Sequence, residues 1–399
     1  MAITGPSTVQ VSVGASESFD TVEAAAEAAD RARAGLAGRC DLAFVFASGQ
    51  HLGMAKWLLS EVHERLEPQA LLGCGAGGTV AGGRELEDGP GIVVWAASLP
   101  EAELETMHLT AEREADGFRL LGLPETLTIE RDESAAPAES MIALCDPFSF
   151  PPEELLATME RSRPNLPVLG GLASATFAGG AVLLQDGEVR SDGAVAIRMR
   201  GLEMLPCVSQ GAGPVGPEMT ITRAEANVIG QLAGKPAMER LGEVIASLPE
   251  AERELASAGV LIGLVIDENR PEYERGDFLV RPIIGADRES GAIAIGERVR
   301  VGQTVRLHVR DGASADEDLR AALRSQAHAL GSDGAAGTLL FTCNGRGSHM
   351  FDVPDHDASA VEDSLGAPTA GFFCAGEIGP VGGRNFLHGF TATMAVFPA

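Results

Sequence analysis

Two short segments near the end of the chain carry residue types that could bind a charged small molecule. Cys343-Asn344-Gly345-Arg346-Gly347 follows an apolar run, and a second segment holds Glu377. A guanidinium can donate two parallel hydrogen bonds to a carboxylate or a phosphate. We therefore expect Arg346 to bind a carboxylate, Glu377 to bind an amine or a backbone donor, and Asn344 to add hydrogen bonds. The predicted ligand-binding residues are Arg346, Glu377, Asn344, Cys343, Gly345, Gly347, Cys374, Gly376 and Gly75.

The same residues permit other interpretations. In the first, Arg346 and Glu377 form a structural ion pair without a ligand. In the second, Cys343 or Cys374 is an enzyme nucleophile, because a cationic neighbour such as Arg346 lowers the pKa of a thiol. In the third, a histidine near a strand exit is an axial haem ligand, although the sequence has no CxxCH attachment motif. The candidate haem ligands are His51, His349 and His388.

Other motifs point away from nucleotide and metal chemistry. Gly73–Gly78 has the GxGxxG spacing, but the residues that follow cannot form the helix that would hold a pyrophosphate. We expect these glycines to allow either close approach of the backbone or a positive φ at a strand exit instead. The sequence contains no Walker loop and no GxSxG elbow. The acidic segment 352–357 offers oxygen ligands for a hard metal, but its Asp and Pro residues are typical of a solvated loop ahead of a helix.

The charge and composition of the chain argue against several classes of protein. The formal net charge of −27 argues against nucleic acid or an anionic membrane as a partner, because both attract clustered Lys and Arg. No apolar run approaches the roughly 20 residues that span a bilayer, and residues 1–17 show no signal-peptide pattern. The six cysteines are scattered without a CxxC pair, so we expect buried, reduced thiols in a cytoplasmic protein.

The elements that position these residues recur along the chain. Each copy has an apolar run, a helical stretch, a second apolar run, a glycine-rich link and a closing strand. The three copies begin at Asp41–Ser48, Met141–Cys145 and Gly337–Cys343, and they close at Gly91–Ala97, Gly193–Met199 and Gly389–Phe397. The third copy has its predicted helix at Ser359–Leu365. The run Val260–Asp267, followed by Arg281–Gly285, suggests a fourth, degenerate copy.

This pattern predicts an α/β fold. A strand, a crossover helix and a second strand favour a parallel pair, while the short link before the closing strand favours antiparallel pairing. We therefore expect mixed β-sheets covered by helices, in two lobes of repeated strand–helix–strand units. A helix over Thr21–Leu36, with Asp20 as its N-cap, should cover the first lobe. The Gly- and Pro-rich segment Cys207–Pro217 sets the predicted domains at 1–210 and 211–399.

Several of these stretches together resemble the FIST family, in both its N-terminal and its C-terminal regions. The matching stretches cover nearly the whole chain, and each alone would be weak. They include DLAFVFAS (41–48), ALLGCGAGG (70–78), the segment 276–311, LLFTCNGRG (339–347) and GFFCAGEIG (371–379).

The resemblance implies a sensory region that binds a small ligand. Amino acids are proposed ligands of the family, some bacterial members that sense nitric oxide bind haem, and other members are fused to kinases, receptors, cyclases or an F-box. The GRG and GEIG motifs carry over as Arg346 and Glu377, whereas no haem ligand carries over residue by residue. We expect a stand-alone sensor or carrier in intracellular signalling that works through a separate signalling protein. The alternatives are a haem-binding gas sensor, a cysteine-dependent enzyme and a protein-interaction module.

Overall fold

The computed structural model describes residues 8–115, 117–129, 138–175, 181–273 and 275–399. The chain divides into two compact units. The first unit consists of Met1–Val208, Leu319–Leu387 and Ala392–Ala399, and the second consists of Ser209–Asp318 and His388–Thr391. The division at residue 210 that the sequence predicts for the two family regions stays a prediction.

The first repeat folds as the sequence predicts. Its elements are β1 (Gln10–Ser16), α1 (Thr21–Ala34), β2 (Leu42–Ser48), a 3-10 helix (Gly49–Met54), α2 (Ala55–Leu66), β3 (Ala70–Ala76), β4 (Thr79–Ala81), β5 (Arg84–Leu86) and β6 (Ile92–Ser98). Strands β2 and β3 pair parallel, and β6 pairs antiparallel with β2. Helix α1 begins at its expected N-cap, because the side chain of Asp20 accepts a hydrogen bond of 2.9 Å from the amide of Glu23.

The second repeat has the same order with a longer leading strand. Its elements are β7 (Glu103–Glu114), β8 (Gly117–Leu121), α3 (Glu125–Thr128), β9 (Glu139–Cys145), α4 (Pro152–Ser162), β10 (Val168–Leu172), β11 (Leu183–Gln185), β12 (Glu188–Arg190) and β13 (Ala194–Arg200). Strands β9 and β10 pair parallel, and β13 pairs antiparallel with β9. Strand β14 (Leu205–Gln210) follows.

The second unit has a different, antiparallel architecture. Its elements are β15 (Ala212–Glu225), β16 (Val228–Leu232), β17 (Lys235–Pro236), α5 (Ala237–Ser247), α6 (Glu250–Ser257), β18 (Val260–Val265), a 3-10 helix (Arg275–Asp277), β19 (Phe278–Asp287), β20 (Ala292–Ile295) and β21 (Thr304–Arg310). The strand order is β15-β21-β18-β19-β20-β16-β17, and an additional β15–β16 pairing closes the ring.

The predicted fourth copy of the repeat is wrong. Strands β18 and β19 occupy its two apolar runs, but they pair antiparallel, with Val265 opposite Phe278. The link between them, residues 266–277, is about half as long as the crossover 49–69 of the first repeat. A parallel pair needs the longer crossover, so an apolar run alone did not identify a repeat.

The third repeat lies in the first unit, except that His388–Thr391, around the turn before its last strand, belong to the second unit. After α7 (Gly312–Leu330) come β22 (Ala335–Cys343), a 3-10 helix (Gly347–His349), α8 (His356–Leu365), β23 (Thr369–Cys374), β24 (Glu377–Val381), β25 (Arg384–His388) and β26 (Thr391–Pro398). Strands β22 and β23 pair parallel, and β26 pairs antiparallel with β22. The predicted mixed α/β fold is therefore confirmed.

Each glycine-rich link contains a hairpin that leaves its own repeat. Hairpin β4–β5 of the first repeat pairs with β23 of the third, β11–β12 of the second pairs with β3 of the first, and β24–β25 of the third pairs with β10 of the second. The exchange is cyclic, so each of the three sheets is completed by a neighbouring repeat. It brings the carboxyl ends of the three parallel strand pairs together.

Scarce aromatic side chains join the first and third repeats. Phe46 stacks on Phe372 with ring centroids 5.0 Å apart, and Trp95 meets Phe397 at 5.3 Å. All four side chains are fully buried. Only 5% of the chain is aromatic, so these large rings are concentrated where two repeats share one core.

The structure bears on two expectations from the sequence, which concern the cysteines and membrane-spanning segments. All six cysteines lie in the described residues, all are buried, and none of them forms a disulfide. Among the described helices, none combines the length and the apolar character needed to cross a bilayer.

One glycine recurs at the same place in the parallel pair of every repeat. A Cβ atom there would overlap a carbonyl oxygen of the neighbouring strand, so only glycine allows the strands to approach this closely. The glycine–carbonyl pairs are Gly73 with Val45, Gly170 with Ala143, and Gly371 with Leu340. The expectation that the glycines of segment 73–78 serve close backbone approach agrees with the position of Gly73.

We predict that Gly371→Ala lowers the free energy of unfolding by more than about 3 kcal/mol, because the added methyl group must push β23 away from β22. Gly53→Ala is the matched control, since a Cβ atom at Gly53 meets no atom within 4 Å. Urea unfolding followed by circular dichroism measures both variants. Equal stabilities of the two variants would contradict the close approach.

Candidate functional site

The two segments that carry the predicted site follow adjacent parallel strands. Cys343 at the end of β22 lies in register with Cys374 at the end of β23. The amide of Asn344 donates a hydrogen bond of 2.9 Å to the carbonyl of Cys374. Since the carboxyl ends of parallel strands are the usual place for ligand sites, the fold brings the predicted residues to a suitable edge.

Residues from the other two repeats meet the same edge. Ser174 follows β10 and Gly77 follows β3; the amide of Gly77 donates to the Ser174 hydroxyl at 2.8 Å, and that hydroxyl donates to the carbonyl of Phe373. A Cβ atom at Gly77 would lie 3.7 Å from both Ser174 Oγ and Asn344 Oδ1. We call Gly77, Ser174, Asn344 and Ala375 the exit cluster. Three of its members are exposed, and Ser174 is half-buried.

Arg346 lies behind the exit cluster and contributes no exposed surface. Its Nε and Nη2 atoms donate to the two carboxylate oxygens of Asp357 at 2.6 and 2.8 Å. Thr342 donates a third hydrogen bond of 2.7 Å to the same carboxylate. The remaining Nη1 atom of Arg346 is buried and has no hydrogen-bond partner among the described residues.

The hydrogen bonds that Arg346 makes in the described residues go to Asp357, a partner that the sequence did not suggest. Glu377, at the start of β24, is also fully buried, and its charge favours the cationic form of Arg346. The interpretation of segment 352–357 as a solvated loop is wrong for Asp357, because α8 begins at His356 rather than at Ser359 and turns Asp357 inward. The sequence DVPDHD gave no sign of this extra turn.

The environment of Asp357 keeps it ionised. Burial by itself would raise the pKa of the carboxyl, but the charge and hydrogen bonds of Arg346 hold that pKa well below its usual range. His356 Nδ1 lies 2.9 Å from Asp357 Oδ1. The His356 ring stacks on Phe351, with centroids 3.4 Å apart, and the Arg346 guanidinium lies 5.2 Å from the Phe351 ring centroid. The stacked rings of Phe351 and His356 therefore lie against one side of the ion pair.

A carboxyl group from the first repeat also binds the first turn of α8, and sequence reasoning missed it. Glu85 of β5 accepts hydrogen bonds from the amides of Asp357 and Ala358 at 2.9 and 3.1 Å. Burial, followed by the charge of Asp357, raises the pKa of Glu85 to about 7. In the sequence, Glu85 lies in a polar, glycine-rich link, and only the exchanged hairpin brings it to α8.

The predicted glycines have structural roles around this site. Gly75 donates from its amide to the carbonyl of Val182 at 2.8 Å. Gly376 is buried, and its carbonyl accepts from Leu172 at 2.8 Å. Gly345 donates to the sulfur of Cys343 at 3.4 Å. Gly347 has a φ of 58°, and a Cβ atom there would lie 2.7 Å from the carboxylate of Glu87.

Cys374 is not an activated nucleophile. Cys374 is fully buried, and this burial, together with the charge of Glu377, raises the pKa of the thiol well above its ordinary range. Burial has the same effect at Cys74. A nucleophilic cysteine requires the opposite shift, so the neighbouring Arg346 does not have the effect on Cys374 that the enzyme hypothesis needs.

The histidines do not fit a haem group. His51 contributes no exposed surface, its Nδ1 lies 2.9 Å from the hydroxyl of Thr21, and burial lowers its pKa. A porphyrin could reach it only by displacing packed side chains. His388 is buried at the end of β25, and His349 is exposed beside Ser348 on a 3-10 helix. Within the described ranges, no group of three or more His, Cys, Asp and Glu could hold a metal ion.

Comparisons with known proteins identify the class. The FIST N domain matches residues 41–235, and the FIST C domain matches residues 237–380. The chain therefore belongs to the FIST family, whose domains are sensory domains of signal transduction. An uncharacterized protein of Mycobacterium tuberculosis strain H37Rv is 44% identical over 392 residues, covering 98% of this chain and 100% of that protein. An uncharacterized protein of Mycobacterium bovis is 42% identical, covering 98% and 99%.

We predict that Asp357→Asn lowers the free energy of unfolding by about 3–5 kcal/mol, because it leaves the buried guanidinium of Arg346 without its counter-charge. The control is Glu160→Gln, which removes the partner of Arg384 in a pair whose side chains are 37% and 54% exposed. That change should cost less than about 1 kcal/mol. Denaturant unfolding at neutral pH compares the two, and equal losses would contradict the burial of the pair.

Proposed function

We propose that this FIST protein is a sensor whose ligand is an amino acid or a similar small carboxylate, bound at the exit cluster. The observation that carries the proposal is the meeting of three strand exits at one exposed polar point, where Asn344 Oδ1 lies 3.7 Å from the position of a Cβ atom on Gly77. The side-chain NH2 of Asn344 can donate to a carboxylate, and its side-chain carbonyl can accept from an amine. Small ligands are bound by a few converging polar groups of this kind.

Arg346 gives the site its preference for a carboxylate. Two of its nitrogen atoms are committed to Asp357, and Nη1 remains as a buried donor without a partner among the described residues. A ligand carboxylate would satisfy that donor. Because Arg346 has no exposed surface, the ligand reaches it only when the segment around Arg346 moves. Binding is thereby coupled to a change of conformation, which is what a sensor needs.

The balance of charge favours a ligand that also carries an ammonium group. Arg346, Asp357 and Glu377 are all fully buried, and their formal charges sum to −1. An added carboxylate alone would increase this buried negative charge, whereas a zwitterion leaves it unchanged. In this proposal Glu377 holds the ligand's amine. The output goes to a separate signalling protein in the cytoplasm, where six buried thiols stay reduced.

We predict that at least one common amino acid raises the melting temperature of the wild-type protein, and that Asn344→Asp weakens its binding at least about tenfold, because the new charge repels the ligand carboxylate. Arg346→Ala is unsuitable as a test, since it leaves Asp357 buried without its partner. The panel is screened by thermal shift, and the affinity is then measured by calorimetry.

The matched control is Asn269→Asp, the same change at an exposed asparagine of the second unit. It should leave the affinity unchanged. A wild-type protein that shows no shift with any amino acid would rule out this ligand class.

A further inference from the structure

Hairpin β4–β5 of the first repeat holds the segment of the third repeat that contains Arg346. Beyond its pairing with β23, the hairpin binds this segment through two carboxyl groups. Glu87 accepts hydrogen bonds from the amide and the hydroxyl of Ser348 at 2.9 and 2.7 Å. Glu85 accepts from the first turn of α8, and its own amide donates to Asp355 at 2.6 Å. Both ends of the segment between Arg346 and α8 are therefore attached to the hairpin.

We propose that Glu85 is a proton-operated latch on the ligand site. When Glu85 carries a proton, it holds the first turn of α8, which fixes Asp357 and keeps Arg346 enclosed. When Glu85 loses the proton, the turn loosens and Arg346 becomes accessible. The effect on ligand entry rests on the proposed function, whereas the loosening of the segment does not depend on it.

The geometry makes an ionised Glu85 costly. The residue is only 9% exposed, and its Oε2 atom has no hydrogen-bond partner in the described part of the chain. Its Oε1 atom accepts a hydrogen bond from the amide of Asp357, whose carboxylate is already ionised, so an ionised Glu85 would place a second buried negative charge beside the first turn of α8. The charged groups that act on the pKa of Glu85 are Asp357 and Glu87, and Arg84 is its neighbour in sequence. Asp355 accepts from the amide of Glu85, Arg346 and His356 contact Asp357, and Glu362 of α8 lies against Gly83 of the hairpin.

The direction of the pH effect follows from the shift at Glu85. Burial and Asp357 raise its pKa from 4.5 to about 7, against the two amide hydrogen bonds that favour the charged form. A carboxyl whose pKa is raised in the folded state contributes stability that is complete below the unfolded pKa, and this stability is lost as pH rises toward the folded pKa. The latch is therefore tightest in acid and loosens as pH rises through the range from 4.5 to about 7.

Hydrogen exchange of the ligand-free, full-length protein tests the latch. Protection factors, which correct for the intrinsic pH dependence of exchange, are measured by mass spectrometry for peptides covering residues 344–358. In the wild type, protection should fall on the order of tenfold between about pH 5.5 and about pH 8. Glu85→Gln keeps the acceptor and the shape of the protonated form, so protection in this variant should stay high at both pH values.

Glu87→Gln is the matched control, because it changes the neighbouring carboxyl of the same hairpin and should retain the fall. A wild type with equal protection at both pH values would overturn the latch, and so would a Glu85→Gln variant with the same fall as the wild type. Since no ligand is added, the result is separate from the amino-acid screen. A fall in protection without amino-acid binding would support the latch and reject the ligand, and binding without a fall would do the reverse.

Discussion

Arg346 and Asp357 form a two-point ion pair in which neither side chain has exposed surface. Such a pair adds little stability compared with apolar packing, but neither charge tolerates the loss of its partner. The main effect of the ion pair is therefore to restrict the conformation of the chain. It fixes the segment between β22 and α8, because the two residues lie at its opposite ends. The contacts of Glu85 and Glu87 attach the same segment to the hairpin.

The cyclic exchange of hairpins explains why a repeated scaffold can support one asymmetric site. The hairpin of each repeat pairs with the sheet of another repeat. The carboxyl ends of strands that are distant in sequence therefore meet at one place. The packing inside each parallel pair stays the same, as the recurrent glycine opposite a carbonyl illustrates. Only residues after the strands are free to differ. Gly77, Ser174 and Ala375 occupy that position after the second parallel strand of the three repeats, and Asn344, after the first parallel strand of the third repeat, lies beside them.

The strands, the crossover helices and the Asp20 cap could be predicted because they depend on local patterns of apolar and capping residues. The strands with which the hairpins pair could not be predicted, because pairing between repeats leaves no local pattern in the sequence. Glu85 was missed for that reason. Asp357 was missed because an acidic, proline-containing segment looks like a solvated loop unless its partner Arg346 is already known to lie inside. The fourth repeat was wrong because an apolar run does not reveal whether its pairing is parallel.

The first turn of α8 holds two carboxyl groups in opposite conditions. Asp357 stays ionised because a guanidinium neutralises it, while burial and the charge of Asp357 raise the pKa of Glu85 to about 7. A ligand carboxylate at Nη1 of Arg346 would bring a third group into competition for the same positive charge. Whatever weakens the hold of Arg346 on Asp357 also changes the electrostatic cost of ionising Glu85. If a ligand carboxylate binds there as proposed, its binding and proton release from Glu85 would therefore be linked through one shared guanidinium.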